Sequence, residues 1–309
     1  MKMKRAQNKV AESRIALPVV ACYGVLVWLA AGLLHESWWI QFACAAAATY
    51  GMVELNNQNA LIRIYSRMVS CAFLVLWCAG SFLFSSMRAS LGIVCFVAFL
   101  LLFARTYQDK ESTGTTFYAF IMLGLGSLIH VHALYFLPVF WLFMAFKIQS
   151  LSWRTFIASV FGVVLPYWFA LVWFIWQADF TLFFEHFEQL GWVTFPYDYS
   201  TVTLPQLLLF ILLTVIGTIG AVHYLRTRYK DKIRTRMLFD GFIITASLSA
   251  ILLALQPQHM TLLLPIMICC VSPLIAHFLA LTQTRWTNIA FYVIMVATLA
   301  LTAYNIIID

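Results

Sequence analysis

The stretch FFEHFEQLGWVTFPYDYS, residues 183–200, gathers acidic and aromatic side chains in a chain that is otherwise mostly apolar. On a helix, Glu185 and Glu188 share one face and His186 lies between them. A carboxylate placed this way can act as a general base toward a bound substrate. The same spacing is too weak a motif to predict a metal. The alternative is a helix anchored by its aromatic residues, whose acids only face water.

Other isolated polar residues add to this list of candidates. His130 and His132 stand in IHVHALYF, and His259 stands in LQPQHMTLLLP. Imidazole titrates near neutral pH, so convergent histidines, with His186 among them, could move protons or hold a phosphate. Glu36 in LLHESWW is a further candidate base, and Arg88 a candidate partner for a lipid phosphate or carboxylate. Singly, each is also an ordinary residue of a membrane interface.

A second group offers an alternative site. ELNNQNALIRIYSR, residues 54–67, places Asn59, Arg63 and Arg67 at intervals of four, which predicts one polar stripe on a helix. The run HYLRTRYKDKIRTR, residues 223–236, is strongly basic and favours contact with anionic lipid rather than nucleic acid. The chain has neither a P-loop nor a Rossmann glycine pattern, so no nucleotide or other cofactor is predicted.

Composition determines what kind of scaffold must hold these residues. The 309 residues are 63% hydrophobic and only 10% charged. A soluble domain has about 45–50% apolar and about 25% charged residues. We therefore expect an all-α, polytopic integral membrane protein.

Apolar runs of about 20 residues predict the membrane spans. Eleven such runs are found: 17–34, 38–55, 68–86, 89–104, 115–130, 132–148, 155–176, 204–224, 237–255, 260–281 and 286–307. If the N-terminus lies in the cytoplasm and the spans alternate, all of the 19 lysines and arginines except Arg88 lie on the cytoplasmic side. Merging the fifth and sixth runs would move the basic run 225–236 to the outside.

This topology predicts the organisation of the chain. A basic cytoplasmic N-terminus, 1–16, precedes one transmembrane helical domain, 17–309, whose C-terminus lies outside. The loop 225–236 is cytoplasmic and the loop 177–203 is outside. Within that outer loop, phenylalanines spaced on one face near 179–190 predict an amphipathic helix lying in the membrane interface. The expected location is the inner membrane of a bacterium with two membranes.

Two resemblances add to these predictions. The segments YQDKESTGTTFYAFIMLGLGSLIHVHALYFLPVFWLFMAF and LSWRTFIASVFGVVLPYWF resemble a family of multi-pass membrane proteins of unknown function from the Bacteroidetes group. The shared features would be Trp153, Arg154, Gly162, Pro166 and Tyr167. More remotely, the outer amphipathic helix and the late span that starts HMTLLLP are similar to GT-C-type glycosyltransferases, which use polyprenyl-phosphate sugars.

The second resemblance implies a catalytic acid in the first outer loop, where this chain has only Glu36. It also implies a polyprenyl-phosphate glycolipid as the membrane-lipid partner. The first functional hypothesis is thus envelope glycan or glycolipid assembly, with Glu36, Glu185 or Glu188 activating an acceptor. The alternatives are a transporter or flippase for a lipid or small anion, and an accessory subunit that contacts other membrane proteins.

Overall fold

The computed structural model describes residues 5–177, 181–191, 199–200 and 202–308. Within these residues the chain forms helices and turns and contains no β-strand, which confirms the all-α prediction. The α-helices are α1 (Ala6–Glu12), α2 (Ala16–Ala30), α3 (Trp39–Asn59), α4 (Met68–Cys78), α5 (Met87–Phe103), α6 (Thr113–Ile129), α7 (Leu137–Phe143), α8 (Trp153–Gln177), α9 (Thr181–Glu188), α10 (Leu204–Thr227), α11 (Ile233–Leu255), α12 (Met260–Leu281) and α13 (Arg285–Ile308).

Many of the described helices are long and apolar enough to cross a membrane. Seven segments meet that condition: Met87–Thr106, Val131–Ile148, Trp153–Trp176, Leu204–Lys230, Ile233–Leu255, Pro257–Leu281 and Arg285–Ile308. Together α1 and α2 form an eighth candidate that is bent by 92°, and α4 and α6 are shorter apolar helices. These helices make the chain a multi-pass membrane protein.

The chain divides into two compact units, and the first contains Met1–Ser90 and Tyr199–Asp309. Its centre is α12, whose most apolar stretch is buried along its whole length. Helices α4, α10 and α11 pack against α12. The contact between α10 and α12 is close at Gly220, where an added Cβ would lie 2.8 Å from the carbonyl oxygen of Leu274.

Helix α1 satisfies backbone groups at the C-terminal end of α12. The last carbonyl groups of a helix have no partner within it and need donors from elsewhere. The amide of Asn8 donates to the carbonyl of Thr282 at 3.0 Å, and the amide of Gln7 donates to the same carbonyl and to the Thr282 hydroxyl. This segment is therefore packed against the helical core, although the sequence predicted only a basic terminus there.

The second unit contains Leu91–Asp198, and the close packing of α6 on α8 dominates it. Two glycines allow that approach. A Cβ at Gly124 would lie 2.8 Å from the carbonyl oxygen of Val163, and a Cβ at Gly162 would lie 2.6 Å from that of Phe117. Helix α6 ends at Ile129, and His130 is extended, so the fifth and sixth predicted spans are separate helical segments.

One element of the alternative site was predicted wrongly. Helix α3 ends at Asn59, and Ala60 adopts a left-handed conformation with φ of 46°. Arg63 therefore lies in a loop and Arg67 at the start of α4, so the two arginines and Asn59 do not form a helical stripe. Of the predicted outer loop, residues 178–180, 192–198 and 201 lie outside the described residues.

Candidate functional site

The first unit holds three of the predicted outer-face residues, and all three lie at or near its surface. The Glu36 carboxylate pairs with Nδ1 of His35 at 2.9 Å, and both side chains are more than half exposed. Arg88 is exposed in the first turn of α5. The imidazole of His259 lies 3.1 Å from the side-chain oxygen of Gln256, in the short turn before α12.

The other predicted outer-face residues belong to the second unit. The imidazole of His186 lies 3.1 Å from the Ser127 carbonyl oxygen, and Tyr167 donates to the Ser127 hydroxyl at 2.8 Å. This contact attaches α9 to α6 and α8. Burial lowers the pKa of His186, although the hydrogen bond with Ser127 opposes that shift. Glu185 and Glu188 are exposed on α9.

His130 and His132 belong to the break between α6 and α7. His130 is half-buried where α6 ends, and His132 is buried with its ring 5.5 Å from that of Tyr135. The Tyr135 hydroxyl in turn donates to the carbonyl of Leu190 at 2.7 Å. The segment after α6 therefore helps to hold the end of α9.

A different set of ionisable residues is brought together deep in the first unit. Nε of Arg63 lies 2.9 Å from one carboxylate oxygen of Asp231, and Nε2 of His277 lies 3.2 Å from the other. The side chains of Asp231 and His277 are fully buried, whereas that of Arg63 is 33% exposed. His223 completes this buried cluster, with its ring 5.5 Å from that of His277.

The loop between α3 and α4 presents Arg63 to Asp231. Leu61 and Ile62 are buried and anchor the loop, and the amide of Asn56 donates to the Ser66 carbonyl at 3.0 Å across it. The hydroxyl of Thr235, in the first turn of α11, donates to the carbonyl of Asn59 at 3.3 Å. Arg67, the other predicted arginine, instead donates to the side-chain oxygen of Asn57 at 3.2 Å.

The surroundings of His277 are aromatic and dry. Phe239 and Tyr224 stack on one another, and their ring centroids lie 5.0 and 5.7 Å from that of His277. Within the described residues, Nδ1 of His277 and Nε2 of His223 are buried and have no hydrogen-bond partner. Unpaired buried nitrogen atoms cost free energy, so they often mark a place where a ligand or proton is accepted.

Opposing influences act on the charge of Asp231 in this cluster. Burial raises the pKa of the Asp231 carboxyl, although the positive charges of Arg63 and Arg236 and the nearby His223 oppose the shift. A carboxylate balanced between burial and a guanidinium can change its protonation state when either partner moves.

The sequence analysis missed three of the four members of the buried cluster. Asp231 was hidden in the basic run 223–236, whose charges were interpreted as a topology signal and a contact with anionic lipid, and the same run contains His223. His277 is the one histidine inside the apolar sequence of α12, which has no aspartate, glutamate, lysine or arginine. An ionisable residue within a membrane helix is expensive and usually functional, so that signal could have identified His277.

Comparisons with known proteins add no identification, because no protein family, curated protein or solved structure matches this chain. The described residues contain no group of three or more histidine, cysteine, aspartate or glutamate side chains placed to hold a metal ion. The fold and the buried cluster thus define a multi-pass helical membrane protein with ionisable groups in its core.

Proposed function

We propose that this chain spans a bacterial inner membrane eleven times, with its N-terminus in the cytoplasm and its C-terminus outside. This count assigns one span each to α2 to α6, the segment Val131–Ile148 that contains α7, α8, and α10 to α13, and seven of these eleven segments are long and apolar enough to cross a membrane by themselves. The distribution of lysine and arginine supports the orientation, because these residues are retained on the cytoplasmic side. Under this topology the buried cluster lies toward the cytoplasmic end of the bundle.

We propose further that the protein transports a small anion together with a proton. The observation that carries this proposal is the chain of contacts Arg63–Asp231–His277, because it places a fully buried carboxylate between a partly exposed guanidinium and an imidazole. Removing charges from water costs several kcal/mol, so proteins seldom bury them without a function. Transport is the hypothesis that uses each of these groups.

The coupling follows from charge balance in the buried cluster. When Asp231 takes up a proton it becomes neutral and releases the Arg63 guanidinium. That guanidinium then binds an incoming anion through charge-assisted hydrogen bonds. One proton and one anion enter together, so the net buried charge does not change. His277 and His223 lie beside Asp231 and can pass the proton to or from it.

The proposal also requires two arrangements of the surrounding helices, because a carrier must open to each side in turn. Asp231 lies in the turn between α10 and α11, His277 on α12, and Arg63 in the loop before α4. Breaking the ion pair therefore loosens three separate parts of the first unit. Proton binding and anion binding would each favour the same arrangement, and their coupling is reciprocal.

Sugar transfer at the outer face stays a prediction. It would use Glu36, Glu185 or Glu188 as a general base, and all three are exposed. Because a general base works best in a site from which water is excluded, their exposure does not favour this hypothesis. These three acids are nevertheless useful in testing the transport proposal. Their amide variants remove a carboxylate without touching the buried cluster.

The test measures ion movement into vesicles that contain the purified full-length chain. Chloride, inorganic phosphate and nitrate are each added outside, and a trapped dye reports the internal pH. We expect at least one of these anions to acidify the lumen. Asp231→Asn should abolish the pH dependence of uptake, and Arg63→Gln should abolish uptake itself. Glu36→Gln and Glu185→Gln should behave as the wild type.

A double variant separates transport from a purely structural role of the ion pair. Arg63→Gln alone leaves a buried carboxylate without its ion-pair partner and should cost about 3 kcal/mol of unfolding free energy. Arg63→Gln/Asp231→Asn should recover most of that loss. A structural ion pair predicts that uptake also returns, whereas the proposal predicts that it does not. Recovered uptake, or no proton movement with any of the three anions, would contradict the proposal.

A further inference from the structure

A large apolar cavity lies in the first unit, separate from the buried cluster. Its volume is about 350 Å³, and it is lined by α2, α4, α12 and α13 together with the last turn of α1 and one residue of α10. Its only hydroxyl groups belong to Ser13 and Thr298, and both are already engaged. Ser13 accepts from the amide of Ile15 at 3.2 Å, and Thr298 donates to the Ile294 carbonyl at 2.9 Å. The cavity thus offers a ligand almost no polar surface.

The cavity and the buried cluster lie on different sides of α12. Ile275 and Leu279 line the cavity, whereas His277 between them packs on Tyr224 and Phe239. An occupant of the cavity therefore need not touch Asp231. Occupation of the cavity is therefore independent of the proposed transport activity.

The volume of the cavity and its apolar lining limit its occupant to an apolar chain. A water molecule takes about 30 Å³ in the liquid, so the cavity has room for about a dozen groups of that size. Apolar cavities of this kind stay dry and take up apolar ligands. The cavity reaches the surface at the bend between α1 and α2, where its lining residues Ile15 and Val19 are 67% and 61% exposed. A lipid chain can therefore enter from the side.

Three basic residues directly precede or follow residues of this lining in the sequence. Lys9 and Arg14 adjoin the lining residues Val10 and Ile15, and both are exposed. Arg67 adjoins Met68 at the start of α4. Glu12 is an acidic residue at the end of α1, the short helix that also contains Lys9. Bases outnumber acids at this end of the cavity, which favours a ligand with an anionic headgroup.

We propose that the cavity holds one acyl chain of an anionic phospholipid. The chain lies among α2, α4, α12 and α13, and the phosphate is bound by Lys9, Arg14 and Arg67. Burial of methylene groups supplies the affinity, and the three basic side chains supply the preference for an anionic headgroup. The lipid fills the gap beside the bent α1–α2 pair.

The test measures lipid binding to the purified full-length chain by native mass spectrometry. Phosphatidylglycerol and phosphatidylcholine with identical chains are titrated in the same detergent. We expect saturable binding of one phosphatidylglycerol, at least about tenfold tighter than phosphatidylcholine. Lys9→Gln/Arg14→Gln should weaken only the anionic lipid, by about tenfold or more. Lys110→Gln/Arg154→Gln removes two exposed bases elsewhere and serves as the matched control.

Two further measurements test occupation of the cavity itself. Ala72→Phe places a ring among the lining residues of α4 and should weaken both lipids without lowering the unfolding temperature. Binding of phosphatidylglycerols with increasing chain length is measured on the wild-type protein. This measurement tests occupation of the cavity even if Ala72→Phe fails to fold. Affinity should rise with length until the cavity is filled, at about a dozen carbons, and then level off. Equal binding of both headgroups, no saturation, or affinity that ignores chain length would overturn the proposal.

Discussion

At the scale of single residues, burial separates the ionisable groups of this protein into two kinds. Glu36, Glu185 and Glu188 stand in water, where an ion pair contributes little because solvent screens it. Asp231 and His277 are fully buried, and the Asp231 carboxylate pairs with Arg63. Burial raises the pKa of Asp231 and the positive charge of Arg63 lowers it, so we expect a displacement of Arg63 to raise that pKa further.

His186 allows a prediction about pH at this scale. Burial lowers its pKa below the ordinary histidine value of about 6.5, so docking of α9 favours the neutral imidazole. The contribution of His186 to docking is complete above about pH 6.5 and is lost as the pH falls from there through the lowered pKa. Amide hydrogen exchange of residues 181–188, corrected for the intrinsic effect of pH, should therefore speed up between about pH 7.5 and 5.5. His186→Gln keeps a donor for the Ser127 carbonyl but does not titrate, so its exchange should lose this dependence. An identical pH dependence of amide exchange in the wild type and in His186→Gln would contradict this prediction.

At the scale of elements, close approach of helices depends on residues that lack a side chain. Within a membrane the hydrophobic effect does little to drive helices together. Helices there associate through van der Waals packing at small residues. In the second unit, Gly124 and Gly162 bring α6 and α8 together. The same contact places Ser127 of α6 beside Tyr167 of α8, and these two residues hold His186 of α9.

Alanine substitution tests this dependence directly. A Cβ at position 162 would lie 2.6 Å from the Phe117 carbonyl oxygen, which cannot move without shifting the backbone of α6. Gly162→Ala should therefore lower the unfolding free energy by about 1–3 kcal/mol, measured by titrating the purified protein with a denaturing detergent. Gly92 in α5 has no atom within 4 Å of its added Cβ, so Gly92→Ala is the control. That control should be neutral or gain up to about 1 kcal/mol from better helix propensity. Equal stability of the two variants would refute the packing argument.

Helix positions could be predicted from the sequence, but the contacts between them could not. The run 260–281 coincides with α12, because an unbroken apolar stretch bounded by polar residues defines one helix. The run 68–86 is longer than α4, which stops at Cys78, because hydropathy does not mark a break inside an apolar stretch. Asp231 and His277 are 46 residues apart, and only the packing of α10, α11 and α12 brings them together.

At the scale of the whole molecule, charge distribution is the feature that a membrane can recognise. The chain carries a net charge of +7, and its densest basic segment is 225–236, which surrounds Asp231. Such segments are retained in the cytoplasm during insertion and are attracted to anionic headgroups. One distribution of charge would therefore set the orientation, bring anionic lipid to this end of the bundle, and place Arg63 where it can meet cytoplasmic anions.

Reporter fusions test that orientation and the number of spans together. Alkaline phosphatase is active only outside the cytoplasm, and we expect activity when it is fused to the C-terminus and none when it is inserted after Lys230. An insertion after Lys110, between α5 and α6, should also be inactive, because the predicted topology places that loop inside. If α6 and the segment Val131–Ile148 crossed the membrane as one span, the results at Lys230 and the C-terminus would reverse while Lys110 stayed inactive. That pattern would leave ten spans, and the buried cluster would then face the outside, where its arginine would meet external anions first.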